Sequence, residues 1–250
     1  MSQIPLAVNT FPTRPRLAPS LVRWIACGLN ALLHFVALAG ARPFSRSLAW
    51  RVYQSWGRTA YRIFGIEVSV QDDNGGRTEA PRLYVWLNQS NLAEAFAFPL
   101  LLPRHATVIN LEYAAMPLLG WARTLIGDLV IVRQWKSQAK RGIGRAARRL
   151  ADGEDCMISI EGVRSADGPL RPFKKGPVLL AIQSGATIVP MYLYGGREVL
   201  PRGEWRIRPG RLQLRLLEAL TTQGLSHDDR NAILDRLRRL AEEARSSAIA

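Results

Sequence analysis

The run Cys156-Met157-Ile158-Ser159-Ile160-Glu161-Gly162-Val163-Arg164-Ser165 decides how this chain is read. Its first five residues are mostly apolar and read as a short buried strand. An acid, a glycine and a cation follow at once. The loop then passes through Arg171-Pro172-Phe173-Lys174-Lys175-Gly176 into a helix over 174–184. Where a strand ends in glycine and cations just before a helix, α/β proteins place their functional groups.

The same alternation extends in both directions. Apolar runs at 83–87, 106–110, 128–132, 187–193 and 211–217 read as further strands. Segments 91–102, 115–125, 136–151 and 226–246 read as helices, the last capped by Ser226 with Asp228 and Asp229 in its first turn. Strands and helices in turn, with no internal repeat, define an α/β domain with a largely buried sheet. The strand ends collect polar groups. Asn88-Gln89-Ser90-Asn91-Leu92-Ala93-Glu94 follows the first strand, and Arg133 follows 128–132. Singly, Arg133, Arg164, Lys174 and Lys175 are ordinary surface charges. Together at strand ends around Gly162 and Gly176 they suit a phosphate, with Glu161 placed to orient an arginine or bind a hydroxyl.

Composition narrows the classes. In 250 residues, 48% hydrophobic and 22% charged usage excludes wholesale disorder and a polytopic membrane protein. Cys27 and Cys156 cannot build a disulfide scaffold, and His34, His105 and His227 show no metal-ligand spacing, so no metal site is expected. Thirty-four basic residues against 20 acidic ones leave +14. Such a surface attracts nucleic acid, lipid headgroups or a phosphorylated substrate. An arginine-rich composition, with much of the excess merely solvated, is the plainer account of the same number.

Residues 1–19 carry four prolines and two arginines without an apolar period and read as a flexible basic arm. Residues 24–41 hold no charge, which is marginal against the roughly 20 apolar residues that a full crossing needs. Arginines flank the run on both sides, which favours a helix dipping into one leaflet over a crossing. A signal peptide and a buried core helix remain alternatives. Over 44–63, Phe44, Leu48, Val52, Trp56 and Ala60 form one stripe, with Trp50, Tyr53, Tyr61 and four arginines beside it. Aromatics and snorkelling arginines describe a helix in the headgroup zone; an amphipathic helix packed on the domain fits nearly as well.

Four blocks, in order, make the chain resemble the 1-acylglycerol-3-phosphate acyltransferases and their lysophospholipid acyltransferase relatives over about residues 70–220. Glu161-Gly162-x-Arg164-Ser165 resembles that family's Phe-Pro-Glu-Gly-Thr-Arg-Ser block, and Phe173-Lys174-Lys175-Gly176 its continuation. The segment from Gly127 to Arg133 is similar to the block ending Phe-Ile-Asp-Arg, and Val189-Pro190 to the block ending Val-Pro. Asn88-Gln89-Ser90-Asn91-Leu92 is similar to the first block, which begins Asn-His-Gln-Ser-Asn.

The resemblance implies a mixed, largely parallel central sheet flanked by helices, with an N-terminal membrane-associated helix pair. The implied division is an arm over 1–19, membrane-associated helices over 20–65, an acyltransferase-like domain over 66–222 and a C-terminal helix over 223–250. It implies acyl transfer from a CoA or carrier-protein thioester to a lyso-lipid, without a resident cofactor. It places the protein in phospholipid biosynthesis, on the cytoplasmic face of a membrane, peripheral or monotopic. An anionic membrane surface, a lyso-lipid acceptor and a thioester donor are the expected partners; nucleic acid is not. The family's catalytic pair is a His followed, after four residues, by an Asp.

Alignment on Gln89-Ser90-Asn91-Leu92 puts Asn88 at the His and Ala93 at the Asp. An amide has no basic site near neutral pH, and a methyl group orients nothing. Glu94, one residue on, is then the candidate base, with Asn88 a candidate oxyanion donor. Ser90, Asn91, Arg133, Glu161, Gly162, Arg164, Ser165, Lys174, Lys175 and Gly176 are the candidate substrate-binding residues. The other reading is a catalytically silent homologue that keeps the lipid-phosphate pocket. His105 is expected at the far edge of the sheet, as ordinary surface.

Overall fold

The computed structural model describes residues 17–88, 91–132, 135–161, 170–201 and 203–247. The chain opens with α1 (Leu17–Ala41) and α2 (Arg46–Phe64), followed by β1 (Ile66–Asp72) and β2 (Arg82–Trp86). Next come α3 (Ala97–Leu101), β3 (His105–Asn110), α4 (Leu111–Ala114), α5 (Leu119–Ile126) and β4 (Leu129–Ile131). The second half runs α6 (Lys136–Ala151), β5 (Asp155–Ser159), α7 (Lys175–Ser184) and β6 (Thr187–Tyr194). It ends with α8 (Gly196–Val199), β7 (Gly210–Leu216) and α9 (Arg230–Ser247).

Among the described residues the strands form one seven-stranded sheet, in the order β1-β7-β6-β2-β5-β3-β4. Strands β2 to β6 run parallel; β7 pairs antiparallel with β6, and β1 parallel with β7. The sheet is therefore mixed and largely parallel, as expected. Alternation along each strand sorts side chains to two sides. Leu83, Val85 and Leu87, with Cys156, Ile158 and Ile160, meet α6, α7 and α9 in one core. Tyr84, Trp86, Met157, Val189 and Met191 meet α2 and α3 in the other.

From β2 the chain crosses toward β3 over the α3 side, then returns through β5 to β6 over the α6 and α7 side. Right-handed crossovers require this change of side when the direction of travel reverses. The reversal leaves β2 flanked by β5 and β6, and the loops leaving their carboxyl ends share one edge. In open α/β sheets that edge at a reversal holds ligands.

Local signals set the element ends. Ser45 accepts the Leu48 N–H at 3.2 Å to start α2, and Gly65 at φ 69° stops it in the left-handed region. Ser226 caps as the sequence indicated, and with Asp229 it forms a reciprocal capping box on the 3-10 turn ahead of α9. Helix α6 lies close on β4 because Gly142 has no Cβ, which would stand 2.1 Å from the Ile131 Cγ2.

Several expectations shift. Helix α1 begins at Leu17, within the segment read as an arm, whose first sixteen residues lie outside the described ones. The helix expected over 91–102 is a 3-10 turn, Leu92–Glu94, followed by α3. The one expected over 115–125 is α4 and α5, with Leu118 at φ 59° between them. Trp50, Tyr53 and Tyr61 are buried rather than set in a headgroup zone. They pack on the domain, with the Tyr53 and Trp56 rings tilted against Phe96. Strand β1 was not anticipated. His105 does begin β3 at the edge opposite the site, but it is buried against Trp50 and Tyr84.

Helix α1 is turned inside out. Its inward stripe holds Ser20, Asn30 and Leu38, with His34 half-buried. Its outward stripe is Leu21, Val22, Ile25, Leu29, Leu32, Leu33 and Val36, with Leu33 70% exposed. The Asn30 amide donates to the Trp56 carbonyl at 3.4 Å, and His34 meets the Asn30 carbonyl at 3.0 Å. Among the described residues α1 is the one helix long and apolar enough to cross a membrane.

Candidate active site

Three chain segments meet around the end of β2. Register puts Trp86 beside Ser159 on one side and Met191 on the other. Two residues further along, Asn88 lies between Glu161 and Leu193. Its side-chain amide donates to the Leu193 carbonyl at 2.7 Å and accepts the Leu193 N–H at 2.9 Å. The amide thus continues the β2–β6 ladder as a peptide group would, across 105 positions of sequence, while the main chain turns away.

The turn after Asn88 is tied down by a second amide. The Asn91 Nδ2 donates to the Gly196 carbonyl at 2.6 Å and to the Leu200 carbonyl at 3.1 Å. Its Oδ1 accepts the Ala93 N–H at 2.9 Å, which starts the 3-10 turn. Glu94 closes that turn and is 1% exposed; its Oε2 accepts the Asn91 N–H at 3.3 Å. Ala93 points into the apolar core beneath α2, and the Tyr61 hydroxyl donates to its carbonyl at 2.7 Å. Burial, reinforced by the Glu94 charge, pushes the Tyr61 hydroxyl well above its ordinary value, so it remains a donor.

Glu161 sits one residue past the ladder of β5, buried, with Oε1 accepting the Arg171 N–H at 2.9 Å. This bond closes the neck of the 161–171 loop. The Lys174 N–H donates to the Ile160 carbonyl at 2.9 Å and sets the entry into α7. Among the described residues no side chain caps α7; Lys174 and Lys175 are exposed, and the space at Gly176 is open. A helix start whose N–H groups no described side chain caps, with two ammonium groups beside it, favours an anion. Ser90, Arg133, Gly162, Arg164 and Ser165 lie outside the described residues. The structure thus gathers Asn88, Asn91, Glu94, Glu161, Lys174, Lys175 and Gly176 around the ends of β2 and β5.

Sequence reasoning missed Leu193, Gly196 and Leu200, which hold Asn88 and Asn91 through main-chain atoms alone. It also missed Gly195 at φ 86°, where a Cβ would stand 1.8 Å from the Arg211 carbonyl oxygen. Only glycine turns the chain there, which brings α8 back to Asn91. A glycine pair straight after a strand was the available signal.

Comparison with known proteins agrees with this architecture. The chain belongs to the family described as Acyltransferase, which it matches over residues 69–194, just over half of its length. A 1-acyl-sn-glycerol-3-phosphate acyltransferase of Limnanthes douglasii is 33% identical over 168 residues, covering 66% of this chain and 59% of that protein. The alpha form of such an enzyme from Ovis aries is 30% identical over 181 residues, covering 70% of this chain and 62% of the other. The chain spans about three fifths of the length of these curated relatives. The crystal structure of a 1-acyl-sn-glycerophosphate acyltransferase from Thermotoga maritima has a TM-score of 0.72, covering 90% of this chain and 95% of that one. At 18% identity that likeness shows a shared fold.

Proposed function

We propose that this protein transfers an acyl chain from a thioester to the hydroxyl of a lysophosphatidate-like acceptor at a membrane surface, using Glu94 in place of an imidazole. The observation that carries this reading is the buried Glu94 carboxylate in the turn leaving β2, at the sheet edge shared with Glu161 and the start of α7. The acceptor's phosphate binds Lys174, Lys175 and the α7 N–H groups, with Arg133 and Arg164 completing the charge. Its hydroxyl oxygen attacks the thioester carbonyl while Glu94 takes the proton. Collapse breaks the C–S bond, and the proton leaves on the sulfur as free thiol. A thioester is an activated acyl donor, so a carboxylate base suffices where an amide donor would need more.

Asn88 bonds along the ladder and Ala93 packs in the core, which supports a matching frame slid by one residue. Asn88 takes the place of the leading Asn in the family's first block. Gln89 takes the place of the His, and Glu94, after four intervening residues, that of the Asp. The pair is then Gln and Glu, chemically softer than His and Asp but with the spacing kept.

Helix α1 supports the membrane part of the proposal. Its outward face of leucines, valines and isoleucine inverts the pattern of a helix in water. At about 37 Å it is long enough to lie in a leaflet or to tilt across a core of about 30 Å.

Free thiol release from palmitoyl-CoA with lysophosphatidate in detergent tests the reading. Glu94→Gln keeps the shape of the side chain and an acceptor for the Asn91 N–H. It should lower the rate by about 10²-fold or more while leaving the melting temperature in place. Equal rates in the two proteins would remove Glu94 from the chemistry. No thiol release from the wild type, with acceptor still bound, would establish the silent homologue instead.

A further inference from the structure

Three neighbouring parallel strands, β2, β5 and β3, each begin on a titratable residue: Arg82, Asp155 and His105. His105 pairs with Asp155 in the ladder, and Arg82 precedes the Leu83–Cys156 pair by one position, so the three stand in one row. Alternation turns them to the side of Tyr84 and Met157, where His105 meets Trp50 of α2. The row marks the amino-terminal edge of these strands, opposite the candidate active site. A cleft of about 280 Å³ opens there, lined also by Arg104, Ile126, Arg149 and Glu154.

The acids of the cleft are already matched. Arg82 occupies both Asp155 oxygens, donating its main-chain N–H at 2.9 Å to one and its Nε at 3.0 Å to the other. Glu154 is shared between Arg149 at 2.9 Å and Arg46, the first residue of α2, at 3.6 Å. Arg104 is exposed and meets no acid among the described residues. Four guanidinium groups thus face two carboxylates, which leaves two positive charges uncompensated. Burial holds the His105 pKa below its ordinary 6.5, so the imidazole adds no charge at neutral pH.

Uncompensated charge between low-dielectric walls focuses its field on the cleft. A phosphomonoester carries about −1.5 to −2 charge at pH 7, and its three oxygens suit guanidinium forks. Among the described residues Arg82 keeps its Nη1, and Arg149 its Nε and Nη2, without a bonded partner. The volume lies just under the roughly 300–1,000 Å³ of drug-sized sites, which suits a phosphate with a few carbons and not a folded partner. Ala106 and Ile126 offer those carbons an apolar wall.

We propose that this cleft is a second anion site, which holds a small phosphomonoester between Arg82, Arg104 and Arg149 at the sheet edge remote from the acyl-transfer machinery. The ligand supplies the missing counter-charge and joins the loop ahead of β3 to the end of α6, where Glu154 already meets the start of α2. The Arg42 Nε donates to the Leu125 carbonyl at 2.7 Å, and Phe44, two residues on, is 86% exposed. The turn between α1 and α2 therefore hangs beside the cleft, so the phosphate arrives either on a soluble molecule or on a lipid.

Calorimetric titration of the full chain in detergent, at fixed ionic strength and with no acyl donor present, tests this. One probe is sn-glycerol 3-phosphate; the other is monomeric dihexanoyl phosphatidate. A hydrogen bond to a charged group is worth about tenfold or more in binding. Arg104→Glu should therefore weaken the cleft equivalent at least tenfold, with Arg104→Gln intermediate and both ligand-free melting temperatures unchanged. Lys174→Ala with Lys175→Ala, which disarms the start of α7, should leave one equivalent bound. That pattern with glycerol phosphate assigns a soluble ligand; the same pattern with phosphatidate alone assigns a lipid headgroup. Either result supports the site. Binding of neither probe to the wild type overturns it, as does binding that survives Arg104→Glu or vanishes with the two lysines. In that last case the phosphate belongs to the candidate active site, and the acyl-transfer reading stands without this one.

Discussion

The two sides of this sheet bury different chemistry. On the α6, α7 and α9 side the core is mostly aliphatic, with Thr222 buried against α7, and Arg141, Arg145 and Arg148 of α6 are exposed. On the α1, α2 and α5 side polar and charged groups are drawn inward: Asn30, Glu94, His105, Thr107, and the Arg123–Asp128 pair at 2.5 Å. There the apolar residues face out along α1. A polar atom facing hydrocarbon costs more than one bonded inside protein, so the proposed membrane contact of α1 would require this contrast.

The largest expected effect comes from undoing that inversion. Ile25→Lys with Leu33→Glu puts two charges where α1 has none, at roughly 2.5–3.5 kcal/mol each in hydrocarbon. Vesicle partition should fall at least about a thousandfold, measured by flotation, while Arg141→Leu on the opposite side should leave it unchanged. If the α1 double variant still floats, α1 does not meet lipid and the contrast between the sides fails.

Next in size is the buried pair. Arg123→Met leaves Asp128 with the Thr107 N–H as its remaining bonded partner, at 2.8 Å. Breaking one half of a buried ion pair costs about 3–5 kcal/mol, so the urea midpoint should drop sharply. Replacing both residues by apolar ones of similar volume should recover most of that loss.

The two matching frames can be set against each other in activity. Gln89→His with Glu94→Asp should raise thiol release by up to about 10²-fold, the usual worth of a positioned base. Asn88→His with Ala93→Asp should instead lower the melting temperature, because it removes the Leu193 clasp and buries a carboxylate in the core. A gain from the second pair would return the site to Asn88 and Ala93.

The smallest effect lies in pH. Burial lowers the His105 pKa from its ordinary 6.5, against the smaller opposing pull of the Pro103 carbonyl. The unfolded chain then binds a proton that the fold does not. Stability is full above pH 6.5 and falls as pH drops from there through the folded value. His105→Phe should flatten that part of the pH–stability curve. On the aliphatic side, burial pushes the Cys156 thiol to about 12, so iodoacetamide at pH 8 should leave it unmodified in the native protein.

Much of the fold was legible because its signals are local. The six anticipated strands and the helix over 136–151 fall within a residue or so of the observed bounds, and Ser226 caps as its sequence position suggests. Strand β1 escaped notice although Ile66, Val68 and Val70 alternate; it is an edge strand whose outer residues are half-exposed, so its pattern is faint. The aromatics of α2 misled because a stripe of Trp and Tyr reads alike against lipid and against Phe96. In the candidate site the residue types were readable and their main-chain partners were not. Asn88 is held by a peptide group 105 residues away, and such partners leave no trace in side-chain spacing.

The Trp24 indole, which donates to the Trp205 carbonyl at 3.0 Å, acts as a rivet. The strip it fastens follows α8, whose first residue and C-cap supply the two carbonyls that grip Asn91. The outward-facing apolar helix and the turn that seats Glu94 are therefore moored to one stretch of chain, so a displacement of the first would be felt at the second.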